Sequence, residues 1–241
     1  MRHPQSDTFD LVMFDLDGTL VETAAELADA VNDALAGLAL PTVSQQQVVD
    51  WIGLGTHELL VQALSHATGQ PTDAVRGSDL LASAETAFDQ HYRRRCGTSS
   101  RLYPQVRETL RELRRQGVKL ALVTNKAARF TGLLLDSHQL ATAFDCVVSG
   151  DTLQSKKPAP HGIQHCLHQL DVLPARALFV GDSLIDVQAA RSAGVAVWVL
   201  PGGYNMGQPI AASRPDRVID NLGMLVQRTG VERDHVPARQ Q

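Results

Sequence analysis

Short, continuous apolar runs constrain this chain most. LVMF (11–14), LALVT (120–124), CVVS (146–149), ALFVG (177–181) and VAVWVL (195–200) recur along it, with a weaker run, RVI, at 217–219. A strand without polar alternation is covered on both faces, as in a parallel sheet between layers of helices. The segments between the runs supply those helices. PQVRETLRELRRQG (104–117) carries Val106, Leu110 and Leu113 at helical spacing, with a proline near its start and Gly117 at its end. DSLIDVQAARSAG (182–194) also stops at a glycine. Strand–helix alternation of this kind predicts an α/β fold, a doubly wound parallel sheet.

One interval breaks the alternation. About a hundred residues separate the first run from the second, with no comparable strand between them. AAELADAVNDALAGLAL (24–40) sets Leu27, Val31, Leu35 and Leu38 on one helical face, and further helical patterns follow at 44–51, 56–66 and 78–95. A parallel crossover needs only about a dozen residues. Residues 22–100 are therefore expected to form an inserted helical domain, and 1–21 with 101–241 the α/β core. An insertion leaving just after the first strand stands at the C-terminal edge of the sheet, where ligands bind in open α/β folds, and it can act as a lid. The polar tail after Gly230 is expected to fray.

Composition narrows the function. Hydrophobic residues make up 44% of the 241, enough for a filled core, and the net charge is -4. A mildly acidic chain whose one basic cluster is the RRR at 93–95 is a poor nucleic-acid binder; that cluster reads as a solvated helix end. Cys96, Cys146 and Cys166 form no C-x-x-C pair, which argues against a disulfide framework or a zinc site and for a reducing compartment. MRHPQSDTFD lacks the apolar segment of a signal peptide, and no apolar run approaches a membrane span. The expectation is a cytoplasmic enzyme acting on a small molecule, with no nucleic-acid or membrane partner, as a monomer or homodimer.

The strand ends carry the chemistry. Asp15 closes the first run and Asp17 follows; Thr124 closes the second, followed by Asn125; Asp182 follows the fourth, with Asp186 four positions on. In a parallel sheet these ends share one edge, and the SKKPAP loop (155–160) after CVVS can reach it. Carboxylates gathered in one crevice repel unless a hard cation neutralises them, and Mg²⁺ with its oxygen ligands suits that task beside a substrate phosphate. Lys157 offers a point charge for phosphate oxygens on a loop stiffened by Pro158. Thr124 offers a hydroxyl. Asp15 can attack phosphorus to form an aspartyl-phosphate, and Asp17 can protonate the leaving oxygen and then take a proton from the hydrolytic water. Gly18 and Thr19 permit a tight turn that exposes backbone amides near the phosphate. A lone D-x-D is more often a turn or a solvated pair; it is the ordered combination after successive strands that points to a site. Lys156 reads as a surface neighbour, and His57, His161, His165 and His168 as structural. Asp151 either shapes the loop before Lys157 or caps a turn.

At this point the sequence resembles the haloacid dehalogenase superfamily, through DLDGT (15–19), the strand ending at Thr124, Lys157 in KKPAP and GDSLID (181–186). The resemblance implies a Rossmann-like core with an all-helical cap domain, Asp15 as nucleophile and Asp17 as general acid/base. It also implies Mg²⁺ held by Asp15, the backbone carbonyl of Asp17 and Asp182, with Asp186 supporting that shell. The dehalogenases themselves lack an aspartate at the position of Asp17, so its presence implies phosphoryl transfer. Over nearly the whole chain, DWIGLGTHELLVQAL, HYRRRCGTSSRLYP, ALVTNKAARFT, VVSGDTLQSKKPAP and GYNMGQPI are similar to bacterial phosphoglycolate phosphatases, which implies hydrolysis of 2-phosphoglycolate to glycolate and phosphate. Leu54 departs from the asparagine usual in that family's W-[IV]-G-N-G segment, and Glu22-Thr23 stands where Asp-Ser is common. Related capped members act on sugar phosphates, muramic acid phosphates or pyrophosphate, or are phosphomutases. In the cap, Gly53, Gly55 and Thr56 are candidates to meet the leaving group; Arg129 stands either at the entrance or on a solvated helix.

Overall fold

The computed structural model describes residues 9–226; the tail beyond Gly230 lies outside them. Six parallel strands form the main sheet: β1 (Leu11–Phe14), β4 (Lys119–Val123), β5 (Cys146–Val148), β6 (Ala177–Gly181), β7 (Ala196–Val199) and β8 (Arg217–Val218), in the spatial order β5-β4-β1-β6-β7-β8. β1 is therefore central, with Phe14 level with Leu122 of β4 on one side and Val180 of β6 on the other.

Strand alternation divides the core into two layers. Val12, Phe14, Leu120, Leu122, Leu178 and Val180 face one hydrophobic cluster, which they share with α6 (Val106–Arg115) and α7 (Ala128–Ser137). Leu11, Met13, Ala121, Val123 and Phe179 face the other, shared with α8 (His161–Gln169) and α9 (Leu184–Ser192). Both faces are dry, which is why the runs show no polar alternation. The exception is β5, an edge strand on which Val147 is 38% exposed, so CVVS is less fully covered than its composition suggests.

Between β1 and β4 the chain is helical apart from two short strands. α1 (Ala24–Gly37), α2 (Gln45–Trp51), α3 (Thr56–Thr68), α4 (Thr72–Arg76) and α5 (Asp79–Arg95) follow one another, bracketed by β2 (Val21–Glu22) and β3 (Arg101–Leu102), which pair antiparallel. The outgoing and returning chains thus cross to the insertion side by side. α2 begins with a full capping box, Ser44 and Gln47 satisfying each other's backbone donors. Glu26 on α1, 1% exposed, receives the hydroxyl of Tyr92 (3.1 Å) and the backbone N–H groups of Gly97 (3.0 Å) and Ser100 (3.2 Å), so one buried carboxylate ties α1, the end of α5 and the returning segment together.

The insertion's core is continuous with the sheet's. Phe88 and Tyr92 of α5 meet Phe130 of α7 edge-on, with ring centroids 6.3 and 4.7 Å apart. Aromatic pairs in this geometry add to the burial that joins the two parts. The arginines at 93–95 form the last turn of α5, where Arg93 pairs with Asp89 and Arg95 with Asp33.

Candidate active site

β4, β1 and β6 end side by side, so Thr124, Asp15 and Asp182, each the first residue past its strand, meet at one edge. Lys157 comes in from the loop after β5. Its Nζ lies 2.7 Å from Asp15 Oδ1 and 2.7 Å from Asp186 Oδ1, over the ring of Phe179. The two carboxylates beside it hold its ammonium well above the ordinary lysine value, against the effect of burial.

Asp186 is fully buried at the third position of α9 and closes a capping box with Ser183. Its Oδ2 accepts from the backbone N–H groups of Asp182 (3.1 Å) and Ser183 (3.0 Å) and from the Ser183 hydroxyl (2.7 Å). Asp182 is anchored in turn by the Thr19 hydroxyl at 2.6 Å and the backbone N–H of Tyr204 at 2.5 Å. Gly18 allows this packing: its φ is +86°, and a Cβ there would stand 2.3 Å from Asp182 Oδ2.

Carboxylate oxygens of Asp15, Asp182 and Asp186 lie within 4.8 Å of one another. Burial pushes Asp15 up to about 7, Lys157 pulling the other way, and burial with its two carboxylate neighbours raises Asp182 well above the usual range. Asp15 Oδ1 is buried yet has no well-aligned hydrogen bond among the described residues, even with Lys157 close by. An all-oxygen donor set, crowded, desolvated and with an unsatisfied lone pair, fits a hard divalent cation.

Above this floor opens a narrow cleft, lined by Asp15, Asp17, Thr124, Asn125, Lys126 and Asp182 from the core side and by Leu27, Ile52, Gly53, Gly55, Thr56 and Leu59 from the insertion. The three insertion residues singled out in the sequence therefore face the same space as the strand-end aspartates. Thr124 Oγ1 accepts from the backbone N–H of Lys126 (3.2 Å), leaving its own proton without an acceptor among the described residues. Asn125 donates through Nδ2 to the carbonyls of Gly53 (2.8 Å) and Lys157 (2.9 Å), joining the insertion to the lysine loop. Its Oδ1 is buried and has no partner among the described residues.

A family model described as haloacid dehalogenase-like hydrolase matches residues 12–200. The chain belongs to the haloacid dehalogenase-like hydrolase family. A phosphoglycolate phosphatase of Vibrio parahaemolyticus is 40% identical over 92% of this chain and 96% of its own length, and one of Pseudomonas putida 42% identical over 90% and 78%. A crystal structure of a predicted phosphoglycolate phosphatase from Haemophilus somnus superposes with a TM-score of 0.85 at 37% identity, covering 91% of this chain and 97% of that one.

The Gly18 and Thr19 amides do not stand open for a phosphate: they donate to Val21 O (2.9 Å) and Leu16 O (3.3 Å), closing the turn on itself, and the Thr19 side chain is committed to Asp182. The Asn125 side chain braces two loops through its donors. Asp151 accepts from the backbone N–H of Ala128 (2.8 Å), so it caps the start of α7. Arg129 reaches Asp89 of α5 at 2.5 Å and lines a neighbouring depression with Lys156 and His57. His57 pairs with Glu85, and His161 with Ser155. Cys146 and Cys166, twenty positions apart, lie with their sulfurs 3.6 Å apart as free thiols, a proximity that their spacing did not suggest.

Two site residues escaped the sequence reading. Lys126, 6% exposed, pairs with Asp17 at 2.9 and 3.2 Å. The signal was a charged residue two positions past an apolar strand end. Tyr204 accepts through its hydroxyl from the N–H groups of Thr23 (2.9 Å) and Ala24 (3.0 Å), holding the start of α1 against the cleft. Nothing in its local sequence marked that contact.

Proposed function

We propose that this enzyme hydrolyses 2-phosphoglycolate to glycolate and phosphate through an aspartyl-phosphate on Asp15. It is a phosphatase, a phosphoric monoester hydrolase of the haloacid dehalogenase-like family. The finer reading is carried by one observation: the central strand delivers Asp15 to a cleft floor where Lys157 is fixed 2.7 Å away, with Asp17 on the same wall.

Asp15 attacks phosphorus, and the ester oxygen departs with a proton from Asp17. Water then attacks the phosphorus of the aspartyl-phosphate, giving its proton to Asp17, and phosphate leaves. Lys157 and the Thr124 hydroxyl hold the transferring group's oxygens, the kind of positioning and charge compensation on which phosphoryl transfer depends. Asp17 is kept in place by the Thr23 hydroxyl (2.7 Å) and Lys126. A Mg²⁺ ion would be held by Asp15, Asp182 and the Asp17 carbonyl, with Asp186 behind them; it supplies positive charge to the carboxylates and to the transferring group. The helical segment 22–100 acts as the cap, excluding water over the cleft. We place the enzyme in the cytoplasm, in keeping with three free thiols; among the described residues no helix is long and apolar enough to cross a membrane.

The unpartnered Asn125 Oδ1 favours a second reading, a hydroxylated leaving group such as a sugar phosphate, whose O–H it would accept. Phosphate release from 2-phosphoglycolate, sugar phosphates, pyrophosphate and an aryl phosphate, with Mg²⁺ and with EDTA, separates the readings. A metal-dependent preference for 2-phosphoglycolate supports the first. A sugar phosphate as the best substrate replaces it with the second, and full activity in EDTA removes the metal from both.

A further inference from the structure

Lys126 is the one cationic residue among the described residues that line the cleft. Lys157 lies below, between Asp15 and Asp186, where it is placed to hold the phosphoryl group rather than the leaving group. Lys156 and Arg129 line the neighbouring depression, where Arg129 is held by Asp89. The Lys126 side chain is 4% exposed, and its ammonium rests 4.9 Å from the centre of the Tyr92 ring. A lysine carries three donors, and Asp17 is its hydrogen-bonding carboxylate here, so donor capacity remains. The insertion contributes Leu27, Ile52 and Leu59 to the cleft but no charged side chain.

We propose that Lys126 is the specificity-determining residue of the cleft and binds the carboxylate of small α-phosphooxy acids. This rests on the phosphatase reading above. Covalent geometry carries the argument. Asp17 delivers a proton to the ester oxygen, and in an α-phosphooxy acid the carboxyl carbon is only two bonds from that oxygen. The group that receives the carboxylate must therefore adjoin the group that protonates the ester, and Lys126 is the cation in direct contact with Asp17 at 2.9 Å. A neutral leaving group would leave the spare donors of a desolvated ammonium unsatisfied, which penalises it relative to an acid.

The test compares kcat/KM for 2-phosphoglycolate and for its neutral amide, 2-phosphoglycolamide, in wild type and Lys126→Met, with Mg²⁺ present. Wild type is expected to prefer the acid by about 10- to 100-fold, the range of a charge-assisted hydrogen bond. In Lys126→Met that preference falls to near unity, with KM rising for the acid; any loss shared by both esters reports the weakened support of Asp17. Lys126→Gln, which keeps a polar side chain, gives the same collapse if the Met variant does not fold, and Lys126→Arg restores part of the preference. The proposal is overturned if either neutral variant keeps the wild-type acid-to-amide ratio, or if wild type hydrolyses both esters without preference. A wild type that releases phosphate from neither ester, nor from any ester of the panel above, removes the phosphatase reading itself.

Discussion

The floor of the cleft and its upper wall each hold a buried lysine beside an aspartate, but in different ways. On the floor, Lys157 is locked between two carboxylates at 2.7 Å each, one of them the fully buried Asp186 that also takes three donors at the start of α9. On the wall, Lys126 has one carboxylate partner, 14% exposed, and the face of a tyrosine ring. The floor is built within the α/β core and is over-determined. The wall lies where core and insertion meet, and its contacts are fewer. A site that must do one reaction on a chosen substrate benefits from that division: rigid charges where bonds change, and an exchangeable cation where the leaving group varies.

The sharpest break comes at the floor. Asp15→Asn should lower turnover on the order of 10⁴-fold or more, as loss of a covalent nucleophile does, while the fold survives; phosphate release checks the first and circular dichroism the second. Lys157→Met leaves Asp15 and Asp186 buried without their cation and should destabilise the protein by about 3–5 kcal/mol in urea unfolding. Lys126→Met should lose less, because Asp17 keeps the Thr23 hydroxyl and some contact with water. Equal losses in the two variants would erase the distinction between floor and wall.

Smaller effects probe the seam between core and insertion. Tyr92→Phe removes a donor from buried Glu26 and should cost about 1–3 kcal/mol. Glu26 also sets a pH slope. Burial raises its pKa in the folded state above the ordinary 4.5, so the native protein holds more protons than the unfolded one. Its contribution is fully present below 4.5 and is lost as pH rises through the elevated folded value. Urea midpoints of wild type should fall across that window by more than those of Glu26→Gln; parallel profiles would assign the slope elsewhere. The smallest effect belongs to Arg129→Ala, whose half-exposed pair with Asp89 should be worth about 1 kcal/mol or less.

Much of the core was legible because parallel strands impose a rule: whatever follows each strand stands on one edge. Asp15, Thr124 and Asp182 could be brought together from the positions of three apolar runs, and the helical interval after β1 announced itself by having no run at all. The turn amides were misread because a D-G-T turn satisfies its own donors, which residue types do not reveal. The bracing of Gly53 and Lys157 by the Asn125 amide donors was not legible, since that reach depends on how near the insertion lies. Cys146 and Cys166 meet only because α8 packs back onto β5.

Sequence alone determined the order of strands and helices, the edge at which the aspartates and Lys157 collect, and the family chemistry they serve, because backbone periodicity and strand direction are local properties that composition encodes. Tertiary structure decided which cation faces the leaving group. Lys126, Lys156, Lys157 and Arg129 are four nearby positive charges in the sequence; the fold pairs Lys126 with Asp17, Lys157 with Asp186 and Arg129 with Asp89, turns Lys156 to the neighbouring depression, and leaves Lys126 as the cation that lines the cleft. Which charge a cleft presents depends on burial, on the direction each side chain takes and on the carboxylates that pair with its neighbours, and those are properties of the folded chain.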